Sequence, residues 1–217
     1  MRIAALIVAA GRGTRAGGRV PKQWQMLLDR RVIDWTLSAF KTHPQISQIC
    51  AVLHPDDEDL LDDPTVLVAH GGATRDQSVL AGLKALASQA PDAVLIHDAA
   101  RATISADIID GVIEALHHNM GAAPAIPVTD ALWIGREGKV VGTQDRTHLF
   151  RAQTPQGFWF KEILDAHLTN THPAADDVEV ARRAQMNVVI TPGADTNIKI
   201  TTPEDFERAE QILRTRK

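Results

Sequence analysis

The chain has 217 residues, 44% of them hydrophobic and 23% charged, with a formal net charge of −4. That is enough for a sizeable core without disulfides or a structural metal, and the acidic balance gives no basic surplus for binding nucleic acid. No apolar run approaches the roughly 20 residues that span a bilayer, so no membrane partner is expected either.

In chain order, residues 3–9 read as a buried first strand and not as a signal peptide, because glycine and arginine break the apolar run at once. The loop "GRGTRAGGRVPKQ" follows, then residues 32–42 with apolar side chains at helical spacing. Residues 49–53 are a second strand and carry Cys50, the single cysteine. A lone cysteine forms no internal bridge; it fits a strand core and a cytoplasmic location better than a catalytic thiol. Residues 65–68 read as a short strand, 76–88 as a helix, 93–96 as a strand ending in "HDAAR", 108–117 as a helix and 122–128 as a strand. This alternation predicts an α/β fold: a Rossmann-like, mainly parallel sheet flanked by helices.

The rhythm breaks after Val128. Residues 131–134 and 139–141 flank "GREG" as a β-hairpin too short to bury its own face. An arm at about residues 129–150 is therefore expected to pack on something, a second subunit being one option. Helices follow at 158–170, 177–185 and 203–215, with strands at 188–190 and 197–200. One domain over residues 1–217, with its arm, is the expected organisation.

The charged loops fall at predicted strand ends, where open α/β sheets bind ligands. In the first loop, Gly11 and Gly13 allow backbone N–H groups to approach phosphate, and Arg15 and Lys22 supply countercharge. A solvated turn is the plain alternative, and Arg12 and Arg19 are left as solvated residues. Gly11, Gly13 and Ala16 also satisfy a dinucleotide fingerprint. That motif wants an acidic residue about 20 positions on at a strand end. Asp34 has the spacing but falls in a predicted helix, and a Walker A loop is absent. In "HGGATRDQSVLAGL", Gly72 breaks the chain, Ser78 is a helix cap or a base contact, and Arg75 meets phosphate or pairs with Asp76. Asp98 ends a strand and is a candidate to hold Mg²⁺; the alternative is an Asp98–Arg101 pair closing the loop. His97 is read as packing, not catalysing. Arg146, Arg151 and Thr154 follow the arm, and Lys199 lies in the predicted strand at 197–200.

Together, "AAGRGTR", "GGATRDQSVLAGL", "HDAAR", "DRTHLFRAQTPQGF" and "NIKITTPEDF", in this order, resemble the 2-C-methyl-D-erythritol 4-phosphate cytidylyltransferase family over nearly the whole chain. The resemblance implies a nucleotide-diphospho-sugar transferase type of fold and transfer of CMP from CTP to methylerythritol 4-phosphate with Mg²⁺. It also implies a homodimer made by the arm. It places Ala9, Ala10, Gly11, Gly13, Gly72, Arg75 and Ser78 around CTP, with Arg15, Lys22 and Lys199 on its phosphates. Asp98 would hold the metal and acceptor, together with Arg101, Thr154 and the Arg146 of a neighbouring subunit. Some members are fused to a cyclodiphosphate synthase; no such second domain is read here. Two positions depart from the family pattern. Ala131 stands where a substrate-contacting threonine follows the aspartate, and residues 175–178 read ADDV in place of TDEA. A lost hydroxyl contact costs about 0.5–1.5 kcal/mol. Two alternatives follow: a cytidylyltransferase for another polyol phosphate, such as ribitol 5-phosphate, or a non-catalytic nucleotide-binding module.

Overall fold

The computed structural model describes residues 1–12 and 20–216. Its elements in chain order are β1 (Ile3–Val8), β2 (Met26–Leu27), β3 (Arg30–Arg31), α1 (Val32–Lys41), β4 (Ile46–Leu53), β5 (Leu67–His70), α2 (Arg75–Leu86), β6 (Ala93–Asp98) and α3 (Ala106–Leu116). They continue with β7 (Gly121–Pro127), β8 (Leu132–Arg136), β9 (Lys139–Gln144), β10 (Phe150–Ala152), β11 (Gln156–Trp159), α4 (Phe160–Thr169), α5 (Asp177–Arg183), β12 (Val188–Pro192) and α6 (Pro203–Thr215).

Strands β5, β4, β1 and β6 pair in that order, all parallel. Beyond β6 comes β11, antiparallel to both β6 and β7. At Gly121 and Ala122, β7 pairs with β11 and β12 at once, and at Ala125 with β10 and β12, so β10 and β11 share one edge of β7 and β12 takes the other. From β1 the chain winds to β4 and β5 on one side, then crosses to β6 on the other. The carboxyl ends of β1 and β6 are therefore a topological switch point, where α/β folds place ligands.

β1 is apolar without interruption because both of its faces are covered. Ile3, Ala5 and Ile7 point into a core with Ile33, Leu37 and Phe40 of α1 and Val112 and Leu116 of α3. Ala4 and Leu6 point into the opposite core with Val79, Leu83 and Leu86 of α2 and Ile163 of α4. Each fully buried Ile, Leu or Phe contributes about 1.5–3 kcal/mol. Gly82 lets α2 lie close on the sheet: a Cβ there would stand 2.6 Å from Val52 Cγ2 and 2.8 Å from Leu6 Cδ1. A third, smaller cluster joins Leu27 and Val32 to Ile200, Ala209 and Leu213, which docks α6 and the segment before it.

Three expectations are corrected. Residues 197–200 form no strand; Ile200 N–H makes a single backbone bond to Ala100 O (2.9 Å), and Arg101 Nη1 takes the Asn197 carbonyl (2.7 Å), so no ladder develops. The helix expected from residue 158 begins at Phe160, because Gln156–Trp159 is spent on pairing with β6. The strand expected at 65–68 lies at Leu67–His70.

Among the described residues β8 and β9 pair only with each other, as a separate two-stranded sheet. Its turn carries Glu137 (φ 50°) and Gly138 (φ 76°), the two positive φ values that a tight hairpin turn needs. Trp133, Ile134, Val140 and Val141 are all more than half exposed. Neighbouring strand residues point to opposite faces, so both faces of the hairpin carry bare apolar side chains.

Candidate active site

A cavity of about 600 Å³ opens at the switch point. Ala9, Ala10 and Gly11 form one wall as the chain leaves β1. The Gln23 side chain ties that exit down, donating to Ala9 O (2.8 Å) and Gly11 O (3.1 Å). Gly72, Arg75 and Ser78 form a second wall where β5 passes into α2. The two walls meet closely at Gly71, where a Cβ would stand 2.3 Å from the Ala10 Cβ. Ser78 Oγ accepts from Gly72 N–H (3.2 Å) and donates to Thr74 O (2.9 Å), so it braces the start of α2. Lys22, Asp98 and Lys199 also line it. Gly13 and Arg15 lie outside the described residues.

Charge is concentrated around Asp98 at the end of β6. Its side chain is 12% exposed; Oδ2 lies 2.7 Å from Lys199 Nζ and Oδ1 3.5 Å from Arg75 Nε. Burial alone would raise the Asp98 pKa, but Lys199 and Arg75 outweigh burial and hold the carboxyl well below the usual carboxylate range. Arg75 is gripped from behind by Asp177, the first residue of α5, at 2.7 Å. Both local alternatives are thereby overturned. Arg75 pairs with Asp177 and Asp98, not with its neighbour Asp76, whose carboxylate accepts from Ala174 N–H (3.2 Å). Asp98 pairs with Lys199 and Arg75, while the Arg101 guanidinium donates to Asn197 O (2.7 Å) and Ala152 O (3.4 Å). Lys22 Nζ donates to Ile200 O (2.7 Å), one residue beyond Lys199, which links the first loop to the last. Arg12 also departs from its reading as a solvated residue: it reaches Asp57 (2.8 Å) and Asp56 (2.7 Å).

Thr154 and His97 sit behind Asp98. Asp98 N–H donates to Thr154 Oγ1 (3.2 Å), and Thr154 Oγ1 lies 3.0 Å from His97 Nδ1. His97 Nε2 faces the Arg101 carbonyl at 3.4 Å, so it carries the proton and Nδ1 accepts from the threonine. Burial pushes the His97 pKa down to about 3 from 6.5. His97 is thus neutral and structural, as read from sequence. Between those two values the unfolded chain binds one proton more than the folded chain. Stability therefore falls as pH drops below about 6.5, by about 1.4 kcal/mol per pH unit. Urea unfolding at pH 6.5 and pH 5 is expected to differ by about 2 kcal/mol, and His97→Gln is expected to flatten that slope. An unchanged slope in the variant would assign the effect to other groups.

A second cavity, of about 260 Å³, adjoins the first. Arg101, Arg151 and Arg208 line it, and Lys199 borders both. Arg146 borders neither and stands exposed beyond the hairpin.

Asp98 is the one carboxylate among the described residues around the first cavity, and no three His, Cys, Asp or Glu side chains converge as ligands among them. Such a donor set makes no protein cage for a metal. It does fit a Mg²⁺ ion whose remaining ligands are water and substrate phosphate oxygens. The arrangement as a whole can hold two anionic groups side by side across Lys199.

The comparisons with known proteins point the same way. Residues 3–215 match the family described as 2-C-methyl-D-erythritol 4-phosphate cytidylyltransferase. The protein of that name from Roseobacter denitrificans is 54% identical, the alignment covering 100% of this chain and 99% of that protein. The bifunctional enzyme IspD/IspF of Ruegeria pomeroyi is also 54% identical; 99% of this chain matches 57% of that longer protein. A crystal structure of 4-diphosphocytidyl-2C-methyl-D-erythritol synthase superposes with a TM-score of 0.87 at 27% identity, covering 98% of both chains. The 2-C-methyl-D-erythritol 4-phosphate cytidylyltransferase of Thermus thermophilus does so with a TM-score of 0.82 at 29% identity, covering 99% of this chain and 100% of that one.

Proposed function

The chain belongs to the 2-C-methyl-D-erythritol 4-phosphate cytidylyltransferase family, and from that premise we propose how it transfers CMP from CTP to methylerythritol 4-phosphate, releasing pyrophosphate. The observation that carries the reading is Lys199, paired with Asp98 and shared by two adjoining cavities. CTP occupies the larger cavity, with the backbone of Ala9, Ala10 and Gly11 along its phosphates and Gly72, Arg75 and Ser78 opposite. The acceptor occupies the smaller one, held by Arg101 there, and reaches across Lys199 toward Asp98 in the larger cavity, which Thr154 braces from behind.

An acceptor phosphate oxygen attacks the α-phosphorus of CTP. One P–O bond forms, the bond to the β-phosphate breaks, and the electron pair leaves with pyrophosphate. The acceptor monoester is largely dianionic near neutral pH, so no strong base is needed, and neutral, buried His97 supplies none. The protein's task is to align two anions and to stabilise charge growing on the α-phosphate and the leaving group. Lys199 and Lys22 serve that task, and Arg15 of the first loop joins them. Asp98 would hold a Mg²⁺ ion brought by the nucleotide, and the ion would supply neutralisation of phosphate charge.

The chain works as a cytoplasmic homodimer joined through the hairpin, whose apolar faces a second copy covers, and the partner's Arg146 reaches the acceptor. In the described residues no helix is long and apolar enough to cross a membrane. The test is pyrophosphate release from Mg-CTP with methylerythritol 4-phosphate and ribitol 5-phosphate in parallel. Turnover is expected with the first. Preference for ribitol 5-phosphate would make Ala131 the mark of a different acceptor, and CTP binding without turnover would make the chain a nucleotide-binding module.

A further inference from the structure

We propose that Asp177 is a positioning residue for this transfer, acting through Arg75 on Asp98; the inference rests on the reading that transfer takes place at Asp98. Asp177 is 0% exposed, yet it belongs to the first turn of α5, which the sequence alone would place at a surface. It is brought there by Gln156 of β11. The Gln156 side-chain oxygen accepts from Asp177 N–H (3.0 Å) and Val178 N–H (3.1 Å), while its amide donates to Asp176, the helix cap (2.9 Å). Behind Asp177, His167 Nε2 stands 3.3 Å from Oδ1. In front, Oδ2 takes Arg75 Nη2 at 2.7 Å, and Arg75 Nε faces Asp98, whose other oxygen takes Lys199. Charges of alternating sign thus run in a line from the protein interior to the shared lysine.

Stability is a weak reason for such a chain, since a buried ion pair is often no better than a packed apolar pair. Direction is a better reason. Arg75 Nη1 is buried without a hydrogen-bond partner among the described residues, so the guanidinium is aimed by Asp177 and not by saturation of its donors. Held from behind, Arg75 presents Nε to Asp98 and leaves the second carboxylate oxygen to Lys199. Without the Asp177 charge, Arg75 is drawn onto Asp98 as a two-pronged pair, and the carboxylate turns from Lys199.

A double-mutant cycle on the full chain tests this, with Asp177→Asn, Arg75→Gln and the double variant. Asp177→Asn keeps shape and one acceptor oxygen. It is expected to lower kcat about tenfold, as loss of an outer partner does, with KM for CTP moving less than about threefold. Asp177→Glu should restore part of the rate. The double variant should be no slower than Arg75→Gln alone, because the effect passes through that residue. A folded Asp177→Asn enzyme with wild-type kcat overturns the proposal, and so do losses that multiply. Thermal unfolding of each variant shows whether it is folded. Should Asp177→Asn not fold, Asp177→Ser, which also removes the charge, takes its place in the cycle under the same criteria. Failure of the functional reading is seen separately, as absence of pyrophosphate release by the unsubstituted chain.

Discussion

Lys199→Ala lowers the rate of cytidylyl transfer by about 10²- to 10³-fold, the loss that follows removal of one preorganised group from a developing negative charge. The side chain is 41% exposed and faces both cavities, so a small loss of folding free energy, within about 1–2 kcal/mol, is expected alongside. Asp98 keeps Arg75 as a partner in the variant, which limits the cost of the buried carboxylate. The two effects separate in a steady-state assay run beside urea unfolding. A variant within about threefold of the normal kcat would remove Lys199 from the chemistry and reduce it to a partner for Asp98.

Trp133→Glu has the second large effect, and it acts on assembly. Trp133 is 69% exposed on a hairpin that no other strand of the described residues pairs with. A central tryptophan lost from an interface costs about 2 kcal/mol or more, so the dimer dissociation constant should rise by about 30-fold or more. If the partner's Arg146 completes the acceptor site, specific activity then becomes dependent on enzyme concentration. Sedimentation velocity and a dilution series of activity read both quantities. A monomeric unsubstituted chain, active at every dilution, would sink the proposed dimer.

Much of this organisation was open to reading in the chain. Uninterrupted apolar runs such as IAALIV and AVLIHD are what strands covered on both faces must look like, and they located β1 and β6 with the site at their ends. Asp98, Lys22 and Lys199 stood out because charge at a strand end or in a glycine-rich loop is seldom needed for folding. Position was harder to read than identity. Residues 197–200 alternate like a strand, yet Asn197 and Ile200 are buried by long-range contacts with Arg101, Thr154 and Ala100 that no local pattern encodes. Phe158 and Trp159 read as the start of a helix because apolar residues there suit either period; pairing of Gln156–Trp159 with β6 decides the matter. Asp177 escaped for a related reason. An acidic residue in a helix's first turn looks like ordinary capping, and its partner Arg75 lies 102 residues away. The one available signal is the departure at residues 175–178, where a threonine is missing and two acids stand side by side.

The linkage between the first and last loops also bears on how the protein comes into being. Lys22 holds the carbonyl of Ile200, Lys199 holds Asp98, and Ile200 is fully buried against Leu27, Val32 and α6. A nascent chain still short of that segment has its β1, β4, β5 and β6 frame but neither Lys199 nor the Ile200 carbonyl that Lys22 takes. On a ribosome emitting about 5–20 residues per second, catalytic competence therefore arrives late and all at once. Chains cut short before residue 199 are expected to be inert even where the sheet has formed.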